Sequence, residues 1–500
     1  MRSQTTDTQT ALLLLRKHDD CSGSVLDQRR YAQAAMLAKI TQLSCSTEAV
    51  VNQRAAKSGI ISFARGAFCL ICLVFYTVLY AANAAAQQSD NNTEATNKQA
   101  NSNLGRPLID NTGKKVTPNY QITLPKDHGE HPEYDIEWWY LTANLRDENK
   151  KAYTVQWTLF RFRTPHRANN WDNGQVYMAH SSIHAQDKHY FSERFAKGGV
   201  CNAGVNTVAA QNATTNKPLL SLYMDDWLWQ STAPMKDQDG SDQPVALSMM
   251  TSAAEADKHP SLFPSRLSFS AVEVLKHKNV SSSEHSKPGS ASAILNLNSD
   301  AEFIFHGNNG YSIKSGNAQH ASYYYSQPFI DVEGVISIHN STPANVLKAD
   351  TEHADTNSKD IKVSGKAWFD HEWTSQLIDD QTRGWDWFSI HLQNGDKLMA
   401  FVMRLEGQDD YMTGTYIDAQ GKVKVLLPED LSMTVLKTTH VDNKHIPTKW
   451  QIKVPSRELD ITTEVTKNEQ FNPSRFEYYE GSIDVTGSHT GVGFMELTGY

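Results

Sequence analysis

A chain of 500 residues can bury two or three cores, and 39% hydrophobic with 10% aromatic residues describes a globular protein, not a disordered chain or a polytopic membrane protein. The formal net charge of −9 argues against a general affinity for nucleic-acid phosphates or anionic lipid, so no nucleic-acid partner is expected. No run of like charge stands out.

Residues 1–53 form a polar extension without periodicity. The only long apolar segment begins near Ala67, "AFCLICLVFYTVLYAANAAAQ", after Arg54, Lys57 and Arg65 and before Ala84, Ala85 and Ala86. A basic region, an apolar core and an Ala-rich exit are the parts of a secretory signal. Residues 54–86 therefore read as a signal peptide cleaved near Ala86 or, if retained, as an inner-membrane anchor through residues 67–83. Either way the remainder is expected to be exported, periplasmic or secreted, and to meet a membrane only through this segment. Cys21, Cys45, Cys69 and Cys72 all lie in it or before it, which leaves Cys201 alone and the mature chain without an internal disulfide. Residues 87–117, opening "QQSDNNTEATNKQANSNLG", are polar and free of pattern, the composition of a flexible tether.

From Pro118 onward the pattern has period two. In "YTVQWTLFRFR" Tyr153, Val155, Trp157 and Leu159 alternate with Thr154, Gln156, Thr158 and Phe160, and "KLMAFVMRL" and "KWQIKV" behave alike. Asn309-Gly310 and Asn394-Gly395 are tight-turn signals. No segment carries a helical repeat with caps at both ends, so antiparallel barrels or sandwiches are expected. An internal echo supports a pair of them. "WWYLTANLRDENKKAYTV" from Trp138 aligns without a gap on "WDWFSIHLQNGDKLMAFV" from Trp385, so that Trp138 meets Trp385, Tyr140 meets Trp387 and Leu145 meets Leu392. The domains expected are residues 118–375 and 376–500. Polar stretches at 235–243, 277–292 and 341–360 read as surface loops of the first.

The chemistry concentrates in "WFDHEW", residues 368–373. On a strand, Trp368, Asp370 and Glu372 share one face and Phe369, His371 and Trp373 the other. Two carboxyls two residues apart on a buried face repel, so one can stay protonated near neutral pH and act as a proton donor. Ring faces around it attract cationic centres. Together they could protonate an isoprenoid double bond, stabilise the carbocation and let water or an internal alkene capture it. The structural alternative is a hydrogen-bond network that cements a barrel or a domain contact, and it is favoured for Glu137 in "DIEWWY" and for Glu480 in "FEYYEG". His128, His131, Glu133 and Asp135 have spacings a zinc site could use, yet Pro132 argues for a loop and no H-E-x-x-H is present, so no metal and no other cofactor is expected. The histidine beside two serines in "MAHSSIH" lacks the G-x-S-x-G turn that presents a nucleophile.

The blocks "HPEYDIEWWYLTANL", "YYYSQPFI", "GKAWFDHEWTSQL", "GWDWFSIHLQNGDKLM" and "YYEGSIDVTGSHTGVGFMELTGY", in that order, resemble those of the AttH/carotenoid 1,2-hydratase family, whose members are often labelled predicted secreted hydrolases. The resemblance implies an all-β chain of two lipocalin-like antiparallel barrels packed together. It also implies that Asp370 stands where the hydratase branch places the acid that protonates a terminal alkene. Where the hydratase pattern continues Asp-His-Asn this chain has Glu372, and the histidine and tryptophan of the hydratase site fall here on the tyrosines of "YYYS", residues 323–325.

Two readings follow. In the first, a hydratase-like hydro-lyase or a cyclase uses Asp370 as acid, with His371 and Glu372 tuning it, and Trp368, Trp373, Trp385, Trp387, Tyr323, Tyr325, Glu137 and Trp139 lining the site of an apolar isoprenoid or lipid ligand. In the second, a non-catalytic carrier holds a lipid in a barrel and the acids are scaffold. The discriminating observation is whether Asp370 lines a cavity of roughly several hundred Å3 or is sealed inside the contact between domains.

Overall fold

The computed structural model describes residues 112–165, 168, 171–185, 188–199, 202–207, 220–231, 262–275, 288–339 and 358–500. The N-terminal extension, the signal or anchor segment, the tether up to residue 111, Cys201 and the stretch 235–243 lie outside the described residues. Among the described residues no helix is long and apolar enough to cross a membrane, and the helical backbone is confined to the single 3-10 turns Lys126–His128 and Pro455–Arg457.

The first sheet comprises β1 (Ile136–Asp147), β2 (Ala152–Arg163), β3 (Asp172–Ala185), β4 (Lys188–Gly199), β5 (Ala203–Thr207), β6 (Leu220–Met224), β7 (Trp227–Ser231), β8 (Ser265–Glu273), β9 (Ser290–Asn298), β10 (Ile304–Phe305), β11 (Tyr311–Ile313), β12 (Ala321–His339) and β13 (Ser358–Thr374). The second comprises β14 (Thr382–Leu392), β15 (Lys397–Leu405), β16 (Tyr411–Ile417), β17 (Val423–Leu426), β18 (Ser432–Val441), β19 (Lys444–Val454), β20 (Leu459–Val465), β21 (Phe471–Asn472), β22 (Tyr478–Gly487) and β23 (Gly491–Thr498). Every ladder is antiparallel.

Eight strands of the first sheet close into a barrel in the order β12-β13-β1-β2-β3-β4-β8-β9 and back to β12, with β7, β6 and β5 branching from β8. The second sheet runs β17-β16-β15-β14-β23-β22-β20-β19-β18 and makes a half-barrel. The tether expected to reach residue 117 is bound earlier: Gly113 donates its N–H to Asp135, Val116 to Gln376 and Thr117 to the Tyr323 hydroxyl. The polar stretches 277–292 and 341–360 run into strands, since β9 opens at Ser290 and β13 at Ser358.

Alternation along β2 places Tyr153, Val155, Trp157 and Leu159 inside the barrel, as period two requires. The opposite face is buried as well, Thr154, Gln156, Thr158 and Phe160 included. The reason lies in packing: Tyr140, Phe160, Phe162, Tyr324 and Trp368 of the first sheet share one apolar cluster with Trp385, Trp387, Met399, Phe401 and Met403 of the second. The outer wall of the barrel is therefore an interior surface too. Asn309 (φ 50) and Gly310 (φ 95) both occupy the left-handed region, as the Asn-Gly turn signal demands.

Candidate functional site

Strand β13 presents its alternation to two different environments. Phe369, His371 and Trp373 point into the barrel, while Trp368 packs in the cluster shared by the sheets and Asp370 and Glu372 line a cavity there. The cavity is lined by Trp138, Tyr140, Phe160, Tyr324, Asp370 and Glu372 from the first sheet and by Leu377, Trp385, Trp387, Phe401 and Glu496 from the segment that follows it. Its volume is about 30 Å3, with about 480 Å3 of atom-free space once the open mouth is included. The enclosed part holds about two water molecules. It is thus far smaller than the several hundred Å3 expected of a ligand cavity, and it lies where the two sheets pack together, the placement expected if the acids were scaffold.

Asp370 is buried and receives three donors on one oxygen. The Tyr324 hydroxyl donates to Oδ1 at 3.0 Å, the Trp368 indole at 2.9 Å, and the Ser326 hydroxyl completes the set. Antiparallel pairing explains the Ser326 contact, since Ser326 of β12 sits directly opposite Asp370, and Tyr324 opposite Glu372. Oδ2 accepts no hydrogen bond from the described residues. Burial outweighs the three donors and pushes the Asp370 carboxyl up to about 7, with the charge of Glu372 adding to the effect. The proton of the neutral acid then belongs on Oδ2, because Oδ1 is occupied as an acceptor.

Behind Ser326 stands His306, whose imidazole is stacked on Tyr324 with ring centroids 4.0 Å apart. Burial holds it well below its ordinary range and so neutral. Thr415 donates to Nδ1 at 2.7 Å and Nε2–H donates to Ser326 at 2.6 Å, a chain of dipoles that ends on Asp370. Glu372 faces Lys314, whose Nζ lies 3.2 Å from Oε1 as an ion pair without hydrogen-bond alignment. Lys314 Nζ also stands 4.6 Å from the Tyr324 ring centroid and 4.4 Å from that of Phe401, so these rings already hold a cation.

Across the cavity the Trp385 indole donates to Glu496 Oε1 at 2.8 Å, and burial pushes this carboxyl up to about 7 as well. Trp387 donates to the Tyr324 hydroxyl at 3.1 Å. Glu480 is a further buried acid held well above the usual range by burial, but both its oxygens are engaged, Oε1 by Tyr140 and Oε2 by Asn472 at 2.5 Å. That is the structural role expected of it.

The other expected residues form a separate network inside the barrel. Glu137 Oε1 accepts from His131 at 2.6 Å and from His371 at 2.8 Å, and Oε2 accepts from Arg161 at 2.8 Å. Burial alone would raise the Glu137 carboxyl, but the charges of His131 and Arg161 hold it well below its ordinary value. His371, lowered by burial to about 4, accepts from Tyr325 on Nδ1 at 2.9 Å. Trp139 stacks on His371 and Trp373 on His131, and Tyr323 bonds Thr117. His371, Trp373, Tyr323, Tyr325, Glu137 and Trp139 thus do not join Asp370, since each lies on the opposite face of its strand. His371 in particular does not tune Asp370.

The loop histidines and acids do not gather into the zinc set their spacing allowed. Asp135 pairs with Arg163, Glu133 with Lys114, and His128 bonds Tyr325. Instead His131, Glu137 and His371 bring one ligand atom each within 4.8 Å of the others and could hold an ion, although the hydrogen bonds just described and the Arg161 guanidinium occupy the carboxylate. In "MAHSSIH" Ser182 contacts His184 and His189 and has no acid behind either, and Ser181 donates to a main-chain carbonyl. His180 meets Ser474 and Glu193 on the same nitrogen, Nε2, while Tyr478 takes Nδ1, the wrong order for a nucleophilic triad.

Of the residues expected at the site, Asp370, Glu372, Trp368, Trp385 and Trp387 come together here, and Tyr324, Ser326, His306, Lys314 and Glu496, not among those expected, stand with them. Period-two alternation from Asp370 across the β12 pairing could have picked Tyr324 over its two neighbours. For His306, Lys314 and Glu496 no local signal exists.

A search of curated proteins returned no match. Among solved structures the chain is similar to a protein provisionally called AttH from Nitrosomonas europaea, with 24% identity, a TM-score of 0.55 and coverage of 77% of this chain and 99% of that one. It is also similar to kievitone hydratase from Nectria haematococca, with 13% identity, a TM-score of 0.43 and coverage of 78% and 97%. The family model described as AttH-like matches residues 115–256 and 266–500, so the chain belongs to the AttH-like family.

Proposed function

We propose that this AttH-like protein protonates the terminal double bond of an apolar, isoprenoid-like ligand from Asp370 and directs the resulting carbocation to hydration or cyclisation. The single observation that carries the reading is the state of Asp370: a buried carboxyl raised to about 7, anchored through Oδ1 and unpartnered at Oδ2, on the wall of a ring-lined cavity. A proton donor works best when its pKa lies near the working pH. The rings of Trp385 and Trp387 supply the environment in which a tertiary cation is tolerated. On this reading the reacting end alone enters, past lining side chains that move apart to admit it, because the enclosed volume of about 30 Å3 does not hold it as it stands.

The carrier reading finds less support, because the barrel that would hold a lipid is filled by Trp139, Trp157, Trp229, Phe369 and Trp373. Among the described residues the hydrolase label has no serine nucleophile behind it whose histidine is backed by an acid through the other ring nitrogen. Export to the periplasm or beyond is proposed on the composition of residues 54–86.

The test is Asp370→Asn, which keeps shape and removes acidity. With acyclic isoprenoids bearing a terminal isopropylidene as substrates, wild type should form a hydrated or cyclised product, and the variant should lose turnover by about 10²–10⁴-fold at unchanged melting temperature. Unchanged turnover in the variant would end the proposal.

A further inference from the structure

The internal echo in the sequence acquires a meaning in the cavity. The echoed pairs Trp138 and Trp385, and Tyr140 and Trp387, all line it, two rings from β1 and two from β14. The echo extends to what these strands pair with. Tyr140 of β1 lies opposite Asp370 of β13, and Trp387 of β14 lies opposite Glu496 of β23. Asp370 and Glu496 therefore occupy corresponding places in the two sheets, although "WFDHEW" and "GFMELTGY" share no motif. Each is held on one oxygen by an indole, Trp368 for Asp370 at 2.9 Å and Trp385 for Glu496 at 2.8 Å. Each leaves its other oxygen without a hydrogen bond from the described residues.

We propose, resting on the reading of Asp370 as acid, that Glu496 is the second catalytic carboxyl of the cavity and takes the proton from the water that adds to the carbocation. The bookkeeping is complete with the groups present. Asp370 gives its Oδ2 proton to the less substituted alkene carbon, which breaks the π bond and leaves a tertiary cation and an ionised Asp370. A water oxygen attacks the cation as one of its O–H bonds breaks, and that proton passes to Glu496 Oε2. The product is the tertiary alcohol, and the proton returns from Glu496 to Asp370 through water.

Two observations beyond the pairing favour this division. Both carboxyls are raised by burial to about 7, and the charge of Glu372 acts on each, so a state with one proton between them is populated near neutral pH. Glu372 lines the same cavity, but its Oε1 is already paired with Lys314 Nζ at 3.2 Å, so Glu496 and not Glu372 is the carboxyl placed to take a proton. Glu480, by contrast, has both oxygens bonded and no free edge to offer.

The experiment is a binding measurement that does not need turnover. The probe is an acyclic isoprenoid whose terminal isopropylidene is replaced by a protonated dimethylamino group, measured by calorimetry beside the neutral isosteric hydrocarbon. Wild type should prefer the ammonium. Asp370→Asn and Glu496→Gln should each reduce that preference by about tenfold or more while leaving hydrocarbon affinity in place. Trp385→Phe, which keeps Glu496 and removes its indole donor, should reduce it by a smaller factor and covers the case in which Glu496→Gln fails to fold. Loss of preference in D370N with full preference in both E496Q and W385F overturns the role of Glu496 and leaves that of Asp370 standing. No ammonium preference in wild type overturns both.

Discussion

Glu137 and Asp370 are both buried carboxyls on adjacent strands, and their surroundings drive them in opposite directions. Glu137, inside the barrel, meets an arginine and a protonatable histidine and is held ionised. Asp370, on the outer face toward the second sheet, meets only neutral donors from a serine, a tyrosine and an indole and is pushed up to about 7. Burial is common to both, so burial by itself does not make an acid catalyst. For this pair the difference is the cations the fold supplies to Glu137 and withholds from Asp370, although one cation does not always outweigh burial, since Asp386 beside Arg404 is still raised to about 6. Glu137 is the carboxyl that locks the barrel; Asp370 is the one left able to give up a proton.

This contrast can be broken from either side. The largest effect is expected in Asp370→Asn, where turnover should fall by about 10²–10⁴-fold in an assay of alkene hydration, with circular dichroism unchanged. Next comes Arg161→Met. Arg161 also bonds Gln175 and the carbonyls of His131 and Tyr134. Removing it leaves the buried Glu137 charge with His131 as its remaining counter-ion and should cost about 3–5 kcal/mol in urea unfolding, with activity per folded molecule retained. A third test is the pH dependence of stability. Because the folded Asp370 carboxyl lies above the unfolded value, 3.8, the native state binds the extra proton between 3.8 and about 7. Its contribution is complete below 3.8 and is lost as pH rises through about 7, at a slope approaching about 1.4 kcal/mol per pH unit; D370N should flatten that slope. Glu137 has the reverse sign, since its contribution is present above the unfolded value, 4.5, and is lost as pH falls through the depressed folded value. The smallest effect is expected in Tyr324→Phe. It removes one donor worth about 1 kcal/mol from Oδ1, raises the Asp370 carboxyl further and moves the alkaline limb of the pH–rate profile upward.

Much of this contrast was legible in sequence, because a strand's alternation is set by chain geometry alone. Trp368, Asp370 and Glu372 on one face and Phe369, His371 and Trp373 on the other follow from period two, and the structure keeps that division. The environment of each face did not follow. A lone strand does not say which side faces a barrel lumen and which a second sheet, and so nothing in the sequence separates His371, Tyr323 and Tyr325 from Asp370, although they lie across the sheet from it. The register of β12 on β13 decides that Tyr324 and Ser326 reach the carboxyl, and a register shift between Gln327 and Ile330 lies just beyond them. Glu496 became visible only through the pairing of β23 with β14, a contact between residues far apart in the chain.

The central claim is the protonation state of one carboxyl, and isotope-edited infrared spectroscopy of protein labelled at aspartate reads it directly. The account predicts a protonated-carboxyl band that titrates with a midpoint near 7 in the wild-type-minus-D370N difference, whereas the band of Asp386, raised by burial to about 6, is common to both proteins. A wild-type protein with no such band above pH of about 5, its Asp370 ionised like an ordinary surface aspartate, would contradict it.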